Sequence, residues 1–341
     1  MIYLAIGSVI SFFISLAFTL MLKSYAIRKG IIDIPNARSS HEIPTPRGGG
    51  LSFVIVFLVS LGGFLAFRKI EVSTFFALFI GGGLIATIGF IDDRINLNPK
   101  IRIATHFLAG SIGIYLLGGI PPLLFFGIEI NFGILGNILA VFGVVWILNL
   151  NNFMDGIDGI ASVEAISLLL IISLLIIFQF PNTAKEQEVI IASLILASAV
   201  LGFLFWNFPP AKIFMGDAGS GFLGIMIALL GVKASHIHGN FFWIILVMFG
   251  VFMVDATTTL IRRLLQGEKV YEAHRSHAYQ HASRLFGHKT VTLSVLAINI
   301  LLLAPMSWLV VSGKIDGFFA FLISYSLLFL LATVFKAGKP D

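Results

Sequence analysis

Long apolar runs alternate with short polar stretches along the 341 residues. Charge-poor runs fall near 2–22, 48–67, 73–91, 102–119, 133–149, 160–180, 189–206, 219–234, 241–260, 291–311 and 317–335. A helix needs roughly 20 apolar residues to cross the ~30 Å hydrocarbon core of a bilayer. Inside lipid the backbone must satisfy its own hydrogen bonds, so each run is read as a helix. The pattern predicts an all-α polytopic membrane protein of about 11 transmembrane helices, forming a single domain over 1–341. Gly118-Gly119-Ile120-Pro121-Pro122 is a helix-stop signal between the fourth and fifth runs. Residues 1–22 read as a retained first span, because no basic segment precedes them and the first charge is Lys23.

Composition agrees with this reading. The chain is 58% hydrophobic and 11% charged, with a mean hydropathy of +1.00, against about 25% charged residues in a soluble domain. It has no cysteine, which excludes disulfides, thiolate metal sites and thiol catalysis. Lys and Arg are distributed unevenly. The loops at 23–47, 92–102, 150–159, 207–218 and 261–290, with the C-terminal tail, hold 17 of the 22. The positive-inside rule predicts these on the cytoplasmic side, with the N-terminus periplasmic and the C-terminus cytoplasmic. The net charge of +5 is thereby explained, and no nucleic-acid partner is implied.

The polar clusters with chemical potential all fall in that cytoplasmic set. Asp92 and Asp93 close the third run, where the helix macrodipole is already negative. Two carboxylates there need a positive partner, either a bound cation or the neighbouring Arg94, Lys100 and Arg102. In Asn149-Leu-Asn-Asn152-Phe-Met-Asp155-Gly-Ile-Asp158-Gly159 no Lys or Arg is present. If this stretch is helical, Asn152, Asp155 and Asp158 share a face. Met215-Gly-Asp217-Ala-Gly-Ser-Gly221 leads into the eighth run. Its backbone N–H groups could meet a phosphate or simply cap a helix.

Arg38, His41 and Arg47 precede Gly48-Gly49-Gly50 and form a cationic lead-in suited to an anionic substrate. His274 and His277, at helical spacing, could bind phosphate oxygens or carry a proton. The plainer reading of their loop is a basic segment on anionic headgroups; His281 and His288 are assigned to that role. Asp255 lies within the ninth run, and either function or pairing with Arg262 and Arg263 would explain it.

Taken together, these motifs resemble the polyprenyl-phosphate N-acetylhexosamine-1-phosphate transferases, from Pro44-Thr-Pro-Arg47-Gly-Gly to the histidine loop. The resemblance implies a bacterial inner-membrane enzyme of ten or eleven helices with a cytoplasmic site. It also implies that Asp92 and Asp93 form the family's catalytic aspartate pair. Asn152, Asp155 and Asp158 would contact the nucleotide sugar, and Asp217 would be a metal ligand with Asp93. The loop reads His274-x-x-His277-x-Tyr-Gln rather than adjacent histidines, which is similar to the O-antigen-initiating branch.

The implied reaction joins a UDP-N-acetyl-aminosugar to undecaprenyl phosphate, releasing UMP, with Mg²⁺ or Mn²⁺ as cofactor. Oxygen-only ligands suit such a hard cation. Direct attack by the lipid phosphate is favoured, with Asp92 positioning or deprotonating it; the other route is a covalent phospho-aspartate. Family members often form homodimers. The rival from another class is a cation-coupled transporter, in which ionisable groups tend to sit near mid-bilayer within inverted repeats.

Overall fold

The computed structural model describes residues 2–35, 40–181, 183–268 and 274–339. Its helices are α1 (Ile2–Lys29), α2 (Leu51–Ala66), α3 (Val72–Ile95), α4 (Pro99–Leu116), α5 (Gly133–Met154), α6 (Ile160–Gln179) and α7 (Ala184–Asn207). They continue as α8 (Asp217–Ser235), α9 (Asn240–Met248), α10 (Gly250–Leu265), α11 (Ala278–Ile298), α12 (Ala304–Val311) and α13 (Gly317–Val334). Every predicted apolar run lies on a helix. The ninth run is two helices, α9 and α10, bent by 67°. The tenth starts earlier than hydropathy indicates, at Ala278, and kinks at Gly287 (φ 78°). It then passes through a π-helical turn at Asn299–Leu303 into α12.

Eight helices, or nine if the bent pair is one span, are long and apolar enough to cross a membrane. The chain is a multi-pass membrane protein. Among the eleven runs, α2 has 16 residues, and α4 carries Lys100 and Arg102 in its first turn. Those two lie outside the eight or nine.

α8 is the axis of the bundle. Every residue from Ala218 to Ser235 is buried, and the helix packs against α3, α5 and α9 while touching α2, α4, α6 and α7. Lipid tails are as apolar as leucine, so helices in a bilayer associate through close packing and polar links rather than through the hydrophobic effect. Small residues permit that approach here. A Cβ on Gly89 of α3 would fall 2.6 Å from the Asp217 backbone, and one on Gly224 of α8 would fall 2.6 Å from Leu148 Cα of α5. Polar links supplement the packing. Thr19 and Ser52 hydroxyls are 2.7 Å apart between α1 and α2, and Asn299 Nδ2 donates to Glu164 Oε2 at 2.7 Å between the π-helical turn and α6.

The two ends of the bundle differ. At one end Lys233 bridges Glu188 at 2.9 Å and Glu71 at 3.4 Å, near a hairpin of β3 (Leu123–Phe125) and β4 (Ile128–Ile130). At the other end, α3 and α5 finish where α2 and α8 begin. There β1 (Ile32–Asp33) pairs with β2 (Thr45–Pro46), and the chain after β2 is tied to the segment before α8. Phe214 N donates to Pro46 O at 2.8 Å, Gly49 N to Phe214 O at 2.9 Å and Gly50 N to Met215 O at 2.9 Å. This ladder fixes Arg47 beside the start of α8.

Replacing Gly89 with leucine should force α3 from α8, since overpacking a close contact costs about 1–3 kcal/mol or more. We expect a lower thermal unfolding midpoint in detergent; an unchanged midpoint would contradict the close approach.

Candidate active site

The two aspartates that end α3 diverge. Asp92 is 7% exposed; its Oδ1 accepts from Leu97 N at 2.6 Å, and its Oδ2 meets Arg102 Nη1 at 2.7 Å. It closes the helix end and holds the first turn of α4. Arg102 is thus the local partner, whereas Arg94 lies over the Phe90 ring at 4.1 Å.

Asp93 points the other way. Its Oδ1 is 2.7 Å from Arg47 Nη2 and accepts from Asp217 N at 3.1 Å, while Oδ2 accepts from Ala218 N at 3.5 Å. The same Arg47 nitrogen is 2.7 Å from Asp217 Oδ1. Arg102 Nη2 lies 4.0 Å from Asp217 Oδ2 on the far side. Arginines and aspartates therefore alternate across the mouth of α8. Of the two readings of the Gly216 turn, phosphate contact or helix cap, the geometry matches the cap: the N–H groups of Asp217 and Ala218 meet the Asp93 carboxylate.

Asn152, Asp155 and Asp158 are brought together by a different geometry from the one expected. α5 ends at Met154, and residues 155–159 form a non-helical turn, so the helical face does not extend beyond Asn152. Asn152 Nδ2 donates to Ser220 Oγ at 2.8 Å, and Asn151 Nδ2 to Ser220 O at 2.7 Å, locking α5 to the first turn of α8. Asp158 is held from three sides. Ala211 N donates to its Oδ2 at 2.9 Å, His288 Nδ1 lies 3.3 Å from its Oδ1, and Thr292 Oγ1 donates to its carbonyl at 2.8 Å.

A polar cavity of about 230 Å³ opens between this turn, the β1–β2 ribbon and the start of α8. Arg47, Asn152, Asp155, Asp158, Asp217 and His41 all line it. His41 stands edge-on to Phe214, with ring centroids 4.8 Å apart, and 3.8 Å from Asp33. Arg38 lies outside the described residues.

His274 and His277 are not on a helix; they lie in the extended lead into α11, with ring centroids 4.8 Å apart. His277 Nδ1 is 3.4 Å from Asp255 Oδ1. Asp255 also accepts from Ala278 N at 2.8 Å and Tyr279 N at 2.9 Å. It therefore anchors the N-terminus of α11, where a carboxylate is favoured by the helix dipole. Arg262 instead donates to Ala337 O at 2.7 Å, and Arg263 to Glu268 at 2.6 Å. Neither histidine lines the polar cavity, although Gln280 does. Tyr279 OH donates to Phe153 O at 3.1 Å, so the histidine loop braces the Asp155 turn from behind.

Sequence reading placed His288 with the headgroup-binding loop, and the contact to Asp158 corrects that. Asp33, Asn207 and Gln280 were missed as cavity residues. Asn207 borders an apolar run and Gln280 stands in the histidine-loop motif, while nothing in the sequence marks Asp33.

Electrostatics follow burial. Burial pushes the Asp155 carboxyl well above the ordinary carboxylate range, and the Asp217 charge pushes in the same direction. Burial alone would lower the Arg47 guanidinium, but Asp217 and Asp93 outweigh it and hold the group charged. Burial, then the neighbouring His277 and Arg263, drive His274 down to about 3. Among the described residues no three Asp, Glu, His or Cys side chains form a metal cage. Asp93 and Asp217 do converge on one cationic nitrogen, with oxygen donors only.

Comparison with known proteins decides the family. Residues 75–235, from α3 to the end of α8, match glycosyl transferase family 4. A Bacillus subtilis relative named "Probable undecaprenyl-phosphate N-acetylglucosaminyl 1-phosphate transferase" is 30% identical over 313 residues, covering 88% of this chain and 82% of its own. The chain belongs to the polyprenyl-phosphate N-acetylhexosamine-1-phosphate transferase family. A decaprenyl-phosphate N-acetylglucosaminephosphotransferase of Mycobacterium tuberculosis is 29% identical, over 80% of this chain and 74% of its own. A phospho-N-acetylmuramoyl-pentapeptide-transferase of Streptococcus pneumoniae is 30% identical, over 71% and 76%. The segment matched by the family contains Asp92, Asp93, Asp155, Asp158 and Asp217, but not Asp33. Arg47 and the histidine loop lie outside it.

His274 yields a signed prediction. Its folded-state pKa of about 3 lies below the ~6.5 of an unfolded histidine. The unfolded chain thus binds more protons between those values, and stability falls as pH drops from about 6.5 toward 3. His274→Gln should flatten that acid loss of the unfolding midpoint and leave the midpoint near pH 8 little changed. Parallel midpoint–pH curves for the two proteins would rule it out.

Proposed function

We propose that this transferase moves an N-acetyl-aminosugar 1-phosphate from a UDP-sugar to undecaprenyl phosphate, forming sugar-diphospho-undecaprenol and UMP. The reading rests on one observation above the others. Asp93 and Asp217, from distant stretches, converge on a single cation at the mouth of a polar cavity. The N-acetylglucosamine named for the Bacillus and Mycobacterium relatives supports an N-acetylated amino sugar. The step served is initiation of O-antigen or a related envelope glycan.

A Mg²⁺ ion fits the donor set, because such ions are held by one or two carboxylates with the remaining positions left to water and phosphate. Asp93 and Asp217 would hold it, and it would supply charge neutralisation for the diphosphate. The chain's own residues do the rest. Arg47 and His41 face the cavity with positive or hydrogen-bonding groups for the diphosphate oxygens. Asn152 and the Asp155–Asp158 turn orient the nucleotide sugar, and the histidine loop keeps that turn in place through Tyr279. Both oxygens of Asp92 are engaged, so its part is to hold Arg102 toward Asp217, near the entering lipid phosphate. That phosphate is already anionic, so direct in-line attack needs little deprotonation.

The prenyl tail has a matching surface. Two apolar cavities of about 380 Å³ and 530 Å³ flank α5, α9 and α10 and share Trp146, Leu246 and Met253. We take all eleven runs as spanning the bacterial inner membrane, with the N-terminus periplasmic and the site cytoplasmic, as the Lys and Arg bias indicates.

Purified protein should release UMP from a UDP-N-acetyl-aminosugar only with undecaprenyl phosphate and a divalent cation present. Failure across a panel of such donors would overturn the reading. Asp217→Asn should abolish turnover and blunt the Mg²⁺ dependence; near-normal rates with an ordinary metal response would remove it as a ligand. His277→Ala should raise KM for the nucleotide sugar more than it lowers kcat, as the Asp155 turn loosens. Unchanged kinetics would return that loop to a role at the headgroups.

A further inference from the structure

A second apolar groove, about 410 Å³, runs between α10, α11 and α13. It lies on the stripe of α13 residues formed by Leu328, Leu331 and Ala332, continued by Phe335, next to the Phe321, Tyr325 and Phe329 stripe that borders the prenyl surface. From Phe335 to Leu328 it descends about 10 Å into the helical bundle, at 1.5 Å per residue. Its only acid is Asp255, already engaged by the first turn of α11.

Among the described residues no cation lines the groove, but Lys336 follows its lining residue Phe335 directly, and Arg284, which also donates to Arg275 O at 2.8 Å, lies within one turn of Phe286. Phe286 and Phe335, with ring centroids 6.2 Å apart, mark the groove's entrance. The tail beyond Phe335 crosses α11 there, with His281 Nε2 3.2 Å from Lys339 O. Arg284 and Lys336 both lie within electrostatic reach of His281, and Arg284, Lys289, Lys336 and Lys339 are exposed. Among the described residues of 261–289 and 335–339, the one acid is Glu268, which is paired with Arg263. The neighbouring Leu285 is 72% exposed and Leu265 82% exposed. Long cations beside apolar side chains at a helix end match the depth at which lipid headgroups meet acyl chains.

We propose that this groove binds an anionic membrane phospholipid, one acyl chain lying between α11 and α13 and the phosphate resting on Arg284, Lys336 and Lys339. The occupant is inferred from charge complementarity: a hydrocarbon slot opening beneath several cations takes a negatively charged two-part ligand. The site is separate from the catalytic cavity and does not depend on the transferase reading. It does lie directly against Tyr279, and through it the Asp155 turn.

The test uses the full-length chain, delipidated in neutral detergent and titrated with dioleoyl phosphatidylglycerol or dioleoyl phosphatidylcholine, with native mass spectrometry counting retained lipid. One phosphatidylglycerol per chain should be held, in preference to phosphatidylcholine. The triple variant R284Q/K336Q/K339Q should weaken retention about 100-fold, from the usual contribution of a cation near a membrane surface. Ala332→Trp should block the slot while leaving those cations intact; should that variant not fold, the triple variant decides. Equal retention of the two lipids, or undiminished binding by the triple variant, would overturn the proposal. So would displacement by one equivalent of undecaprenyl phosphate, which would assign the groove to the acceptor.

Discussion

The site depends on a charge balance at the start of α8. The C-terminal end of α3 carries the negative pole of its macrodipole and two carboxylates, an arrangement that would repel itself if left alone. Asp93 is stabilised by two N–H groups at the positive end of α8 and by Arg47. Arg47 in turn neutralises Asp217, the first residue of α8. Asp92 solves the same problem separately, through Arg102 and the Leu97 N–H. One guanidinium nitrogen therefore joins three stretches of chain.

That balance requires α3 and α8 to touch backbone to backbone. Gly89 makes it sterically possible, and the ladder between 46–50 and 214–215 delivers Arg47 at the correct height. The rest of α8 is surrounded by other helices, so its first turn is held rigidly while facing a polar cavity. A buried helix in a bilayer gains little from burying apolar surface. The fit of small residues, and polar links such as Asn152 to Ser220, must therefore hold it. The same contacts that stabilise the bundle thus position the chemistry.

The histidine loop shows how structure redistributes roles within a recognisable motif. His277, Asp255 and Tyr279 form a stack and a helix start whose outward effect is to press Tyr279 against Phe153. Its contribution to the cavity is carried by Gln280 and by the shape of the Asp155 turn. His288, beyond the Gly287 kink, completes that turn from α11 by approaching Asp158. A lone histidine in a basic segment gives no sign of such a contact, because the kink that aims it depends on packing between remote helices.

Much was already legible in the residue order. Each of the eleven apolar runs lies on a helix, since hydrocarbon leaves the backbone no other way to satisfy its polar groups. The placing of Asp92, Asp93, Asp155, Asp158 and Asp217 beside apolar runs marked a charged site, because carboxylates at a membrane boundary are costly without a partner. Folding in three dimensions decided what periodicity cannot encode. It set which carboxylate of the adjacent pair faces α8, made a turn where spacing allowed a helix, and chose Arg102 over Arg94 as partner. These outcomes rest on contacts between groups far apart in the chain, and local pattern carries no record of such distances.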